Sequence, residues 1–250
     1  MKKIILLLFV TIFTQSIFAW SLVDEIVKIK ADLYFYETQI QALEKIGSLF
    51  DKIKELDNEE EKLICENMLL VEKLNFSSVE DNADLKKIFF IDMNELSKKN
   101  QKYMDENKKV DKWLLVSYSD LLVRLMSYQS SKEMYKISMQ TKKYYERALK
   151  IDSKFAYAYN SYGLWLYFAP SIAGGGLDVA YKNITKAVKY AADKSEQYLY
   201  LLNRSQILYR MKRINEYEKD LKSAHALFEK ENFTDKLREM NCNEKILFDN

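Results

Sequence analysis

Proline and glycine decide where a chain can stop being a helix, and this chain of 250 residues has one proline and five glycines. The proline and three of the glycines fall together in Pro170-Ser171-Ile172-Ala173-Gly174-Gly175-Gly176. Glycine reaches left-handed backbone angles at no steric cost, and proline lacks the N–H that a continuing helix needs. A chain that gathers its breakers in this way has one demanding turn to build, and long helices are open to it elsewhere. Frequent Leu, Lys and Glu, with apolar residues three and four apart, fill the other stretches with helix formers. Ile88-Phe89-Phe90-Ile91 is the best strand candidate, but Leu85, Met93 and Leu96 extend it at helical spacing. The predicted class is all-α.

The apolar spacing predicts a first long helix over 23–56 with a break at Gly47. Further helices are expected over 59–74, 83–104, 108–128, 132–151, 155–169, 177–192, 196–211 and 214–231, followed by a short tail. Asp152-Ser153 and Ser195 read as N-caps, because their side-chain oxygens can take N–H groups that no helical carbonyl reaches.

The start of the chain reads as a targeting signal. Lys2 and Lys3 form a basic region, Ile4–Phe13 an apolar core, and Ala19 a residue suited to precede cleavage. The apolar run is short for a bilayer span, and no cysteine near the cut offers a lipid attachment point. The expectation is an exported, periplasmic protein with residues 1–19 as signal peptide and no stable membrane span after cleavage. Lys2 and Lys3 account for the whole formal net charge of +2. The remainder is balanced, which argues against nucleic acid as a partner. Cys65 and Cys242 stand far apart in the chain and read as two separate thiols.

Three segments share one pattern. Thr141-Tyr145-Ala148, Ala180-Ile184-Ala187 and Tyr217-Leu221-Ala224 each place an apolar residue four positions on and an alanine three after it. Partner segments carry a small residue, Gly163 or Ser205, where two helices would cross closely. This constellation resembles the tetratricopeptide repeat, a helix–turn–helix unit of about 34 residues. Tyr159, Tyr162 and Gly163 stand where that family has Trp, Leu and Gly, and Trp113 and Ser117 can be placed in an earlier unit. The spacing departs from the family: Ala148 and Ala187 are 39 apart, and Ala187 and Ala224 are 37 apart. The Pro170–Gly176 loop is the first insertion, and its form resembles an exported bacterial subgroup of these repeats. It also resembles the helical T-component associated with TRAP-type transporters, without that family's usual lipid-attachment cysteine.

The resemblance implies an α-solenoid: an irregular N-terminal helical region over 20–107, repeats over 108–231 and a C-terminal capping segment over 232–250. In that family the first helices of the pairs line a concave groove. Carried over position by position, the groove would hold Tyr157, Asn160, Leu164 and Tyr167, then Leu202, Gln206, Tyr209 and Arg210. Tyr118 and Leu121 follow from the earlier unit. Tyrosine, arginine and amides are common anchors of binding surfaces.

Sites of chemistry are scarce. The glycine run lacks a following Lys-Ser/Thr and a preceding strand, and Asp178 supplies its own negative charge to the next helix, so Pro170, Gly174, Gly175 and Gly176 read as a structural loop. His225 is the single histidine, too little for a metal centre or a triad. The expectation is a non-catalytic protein without cofactor or metal that binds a protein or peptide in its groove. The alternative is a periplasmic accessory of a TRAP-type transporter, binding a small ligand or a solute-binding protein.

Overall fold

The computed structural model describes residues 21–36, 38–77, 82–229 and 231–248. The expected signal peptide, 1–19, lies outside them. The described residues form eleven α-helices and two short 3-10 turns, without a strand.

The N-terminal region begins with α1 (Ser21–Asp32), continued by a 3-10 turn (Leu33–Phe35), and then α2 (Gln39–Ile53). The single helix expected over 23–56 is therefore two, and the break is not at Gly47. Thr38 starts α2 with a capping box: its hydroxyl accepts from Gln41 N–H while the Gln41 side chain accepts from Thr38 N–H. Gly47 sits exposed inside α2, where it costs about 1 kcal/mol relative to alanine and breaks nothing.

Helix pairs follow: α3 (Glu59–Asn75) with α4 (Ala83–Glu106), α5 (Lys112–Met126) with α6 (Ser131–Ile151), α7 (Ala156–Phe168) with α8 (Leu177–Tyr190), and α9 (Lys194–Arg210) with α10 (Ile214–His225). The first helices also touch in series, α3 on α5, α5 on α7 and α7 on α9. The last expected helix ends early, at His225, and the capping segment contains its own helix, α11 (Phe233–Cys242).

All nine residues of the repeated pattern are buried. Their partners are small for the expected reason. A Cβ on Gly163 would lie 2.5 Å from Cγ1 of Ile184 and 3.3 Å from the Ala180 carbonyl oxygen, so only glycine lets α7 and α8 approach this closely. Ser205 is fully buried where α9 meets its neighbours and spends its hydroxyl on the Leu202 carbonyl at 2.6 Å.

Two expected caps are replaced. Asp152 pairs with Lys112 and accepts from Lys154 N–H at 2.9 Å, and the N-cap position of α7 is taken by Phe155, which offers no side-chain cap. Asp193, not Ser195, caps α9 by accepting from Glu196 N–H at 2.9 Å. Aspartate offers the same kind of acceptor, and the chain enters the helix sooner.

The glycine loop is a turn built in full. Gly174 and Gly176 have φ of 91° and 136°, angles that L side chains rarely adopt. A Cβ on Gly175 would lie 1.8 Å from the Ala169 carbonyl oxygen. Gly176 N–H donates to the Leu166 carbonyl at 2.9 Å, folding the loop back on the end of α7.

One helix connects the two ends of the array. α1 packs on α3 and on α9, and its Leu22, Val23, Ile26, Val27 and Ile29 are buried in the main core. Ala31 belongs to a second cluster with Tyr198, Leu201 and Leu202 of α9. The solenoid therefore does not present an open inner face along its whole length.

Candidate functional site: a partly covered cavity on the inner face

The inner faces of α3, α5, α7 and α9 look onto one space, which α1 and the segment from α11 onward partly cover. What remains is a cavity of about 720 Å³, a size usual for small-molecule sites. Its walls carry Tyr34, Tyr145, Tyr157, Trp165, Tyr200 and Phe248 among other rings, interspersed with charged and polar side chains.

Lys30 of α1 is the first of these. Its ammonium lies 2.7 Å from Oε1 of Glu72, donates to the Tyr157 hydroxyl at 2.9 Å, and sits 4.9 Å from the Tyr157 ring centroid. Burial opposes this charge, but Glu72, Tyr157 and Asp120 outweigh it and hold the lysine pKa well above its ordinary value. Glu72 also accepts from Asn75 at 3.1 Å, and Asn75 in turn accepts from Arg124 at 2.5 Å.

Asp120 of α5 is the second. It accepts from the Tyr145 hydroxyl at 2.7 Å and from the Ser161 hydroxyl at 3.0 Å. Burial pushes its pKa up, and the pull of Lys30 and the two hydroxyls does not cancel this. Glu196 is the third. Its carboxylate accepts from Ala192 N–H at 2.7 Å and from Tyr200 at 2.8 Å, and burial raises its pKa too. Burial likewise raises the pKa of the wall tyrosines, Tyr34 to about 12, so they are neutral hydroxyls at any physiological pH.

The residues expected on the groove divide into two groups. Tyr157, Asn160, Leu164 and Leu202 line the cavity, and Asn160 accepts from the Asn203 amide at 2.9 Å. The others hold the C-terminal segment in place. Gln206 is fully buried, exchanges amide hydrogen bonds with Asn241 at 2.9 and 3.2 Å, and accepts from Leu247 N–H at 3.2 Å. Tyr209 donates to the Asn241 carbonyl at 2.5 Å. Tyr167 accepts from Arg210 at 3.1 Å and packs edge-on against Phe248. At this end, then, the chain's own C-terminus covers the inner face. Tyr118 and Leu121 are core residues off the cavity wall; the Tyr118 hydroxyl reaches Ser97 on α4.

Sequence reasoning passed over Lys30, Glu72, Asp120 and Glu196, which come from four helices. A signal existed for two of them. Glu72 ends the apolar run Met68-Leu69-Leu70-Val71, and Asp120 interrupts the apolar stretch Leu114–Leu125. A single acid inside a helix segment that is otherwise core is costly unless something compensates it.

His225 is exposed, with Nδ1 2.9 Å from Glu231, and is not on the cavity wall. Cys65 is buried and Cys242 exposed, and the two are not bonded to each other. Among the described residues no group of three or more His, Cys, Asp or Glu could hold a metal ion, and no helix is long and apolar enough to cross a membrane.

The sequence matches no family model and no curated protein. The structure is similar to that of a thermophilic TPR protein of Thermus thermophilus, with a TM-score of 0.56 at 15% sequence identity, over 89% of this chain and 99% of that one. The fold is a tetratricopeptide-like solenoid. Within that fold the tetratricopeptide-like pairs supply the inner wall, and α1 and the C-terminal segment convert part of a groove into a chamber.

Proposed function

We propose that this is a non-catalytic binding protein that holds a small organic molecule in the chamber on the inner face of its solenoid. The observation that carries the reading is the partial covering of the inner face. A groove for a protein partner is open along its length, whereas this inner face is partly covered by α1 and by the segment that Gln206 and Tyr209 hold down. The chamber sets aromatic and apolar walls beside polar groups that hydrogen bonds hold in place, and such groups fix a ligand's orientation in small-molecule sites. Its carboxylates are bonded to a lysine, to hydroxyls or to a backbone N–H, and no imidazole stands between Ser161 and Asp120 to make a nucleophile.

The Lys2-Lys3 signal and the loop's likeness to transporter-associated exported proteins favour a role in solute handling outside the cytoplasm. Protein partners, the usual ligands of this repeat fold, would dock at the exposed end of α9, where Arg210 lies beside Tyr167.

Native mass spectrometry of protein purified from its own source tests the reading. The expected result is a retained compound below the kilodalton range that is lost in Leu164→Trp, which fills the chamber. Overturning it would take a bare polypeptide mass, together with crosslinked capture of a protein partner that Leu164→Trp leaves unchanged and Arg210→Ala abolishes.

A further inference from the structure

We propose that the ligand of the chamber is an organic amine and that Asp120 is its counter-ion; this rests on the chamber being the ligand site. Three carboxylates stand on the wall, and two have a structural explanation. Glu72 is matched by Lys30 at 2.7 Å. Glu196 takes the Ala192 N–H and closes the start of α9, where negative charge complements the helix dipole. Asp120 has no ion pair and no backbone N–H; Lys30 acts on it only through space.

Its partners are two neutral hydroxyls, Tyr145 and Ser161, and among the described residues no basic side chain forms an ion pair with it. Three basic residues line the cavity, Lys30, Arg124 and Lys236; Lys30 acts on Asp120 but is committed to Glu72 and Tyr157, and Arg124 donates to Asn75. A carboxylate accepts about four hydrogen bonds, so two positions remain. The two hydroxyls fix the group's orientation from α6 and α7 without neutralising it. Asp120 is half-buried on the cavity wall, so its remaining acceptor positions are open to a bound ammonium, and such a cation would offset the desolvation that raises its pKa.

The surrounding rings point the same way. Tyr145, Tyr157, Trp165 and Tyr200 line the chamber, and aromatic faces attract cations. Lys30, 4.9 Å from the Tyr157 centroid, shows that this wall accommodates an ammonium.

The test is calorimetric titration of the mature full-length chain with three probes that share one apolar body: tryptamine, the neutral tryptophol and the anionic indole-3-propionate. Tryptamine should bind about tenfold or more tightly than either, the size of one charge-assisted contact. Asp120→Asn should reduce tryptamine to the level of tryptophol and leave tryptophol itself unchanged. If Asp120→Asn does not fold, the pair Tyr145→Phe and Ser161→Ala must weaken tryptamine alone. Tryptophol or indole-3-propionate binding as tightly as tryptamine overturns the amine assignment and leaves the chamber as a ligand site. Tryptamine affinity indifferent to Asp120→Asn overturns the role of Asp120. Failure of all three probes, with a bare polypeptide mass for the native protein, overturns the chamber reading and the amine assignment with it.

Discussion

A Cβ on Gly175 would lie 1.8 Å from a backbone oxygen, whereas one on Gly47 meets nothing within 4 Å. The two substitutions to alanine should therefore have opposite signs. Gly175→Ala should cost about 2–4 kcal/mol, because backbone cannot yield as a side-chain tip does. Gly47→Ala should add about 1 kcal/mol, since an exposed mid-helix glycine wastes conformational entropy. Urea denaturation of both variants measures this, and equal effects would contradict the turn geometry. Glu231 sets a pH response at the same scale. Burial alone would raise its pKa, but hydrogen bonds from Tyr198, the Thr234 N–H and hydroxyl, and His225 hold it below the ordinary 4.5. A depressed carboxylate stabilises the fold above its unfolded pKa and loses that contribution as pH falls through the folded value. Melting temperature should drop below about pH 4.5, and Glu231→Gln should be less stable at neutral pH with a flatter acid limb. Asp120 has the opposite sign. Its displaced pKa makes the free carboxylate unfavourable in the empty protein, so Asp120→Asn should melt at the same temperature or higher while losing amine binding.

At the level of elements, the pairing of α7 with α8 depends on one missing side chain. Gly163→Ala pushes its new methyl into Ile184, which is fully buried and has no room to turn. The cost should be about 1–3 kcal/mol from overpacking. A compensating Ile184→Val should recover part of it, and a double-mutant cycle would show the coupling. α9 and α10 are joined differently, by a bidentate pair in which Arg204 Nε and Nη2 lie 2.6 and 2.7 Å from the two oxygens of Asp220. The two joints explain why the repeat looks irregular in sequence: close approach holds one pair and a charged clamp secures the next.

At the scale of the whole molecule, α1 is the element that joins distant repeats. Repeat arrays have mostly neighbour contacts and tend to unfold in parts. Here α1 spans from α3 to α9, which are far apart in the chain, and ties the array into one unit. Ala31 is fully buried against α9, so Ala31→Leu should lift α1 from that end. Calorimetric unfolding should then split from one transition into two, with the C-terminal pairs melting first, and the chamber should lose its ligand. A single transition at a lower temperature would mean that the array is cooperative without α1.

How much of this was legible in the sequence follows from the range of the forces involved. The helices, the breaker loop, the small residues Gly163 and Ser205 and the repeat all depend on neighbours along the chain or on a fixed period. The sequence alone determined them, and with them the solenoid class. The caps were legible only to within a residue or two, because Asp193 and Ser195 offer equivalent acceptors and backbone geometry chooses between them. The chamber was not legible. Tyr157, Asn160 and Leu164 could be placed on an inner face by period, but α1 has no period in common with the repeats, and nothing local says that its Lys30 meets Glu72. That Gln206 and Tyr209 serve the C-terminal segment is likewise a decision of packing. An amphipathic helix buries its apolar stripe against whichever surface the folded chain brings to it, and only the tertiary structure decided that α1 and the C-terminus would spend theirs on closing the groove.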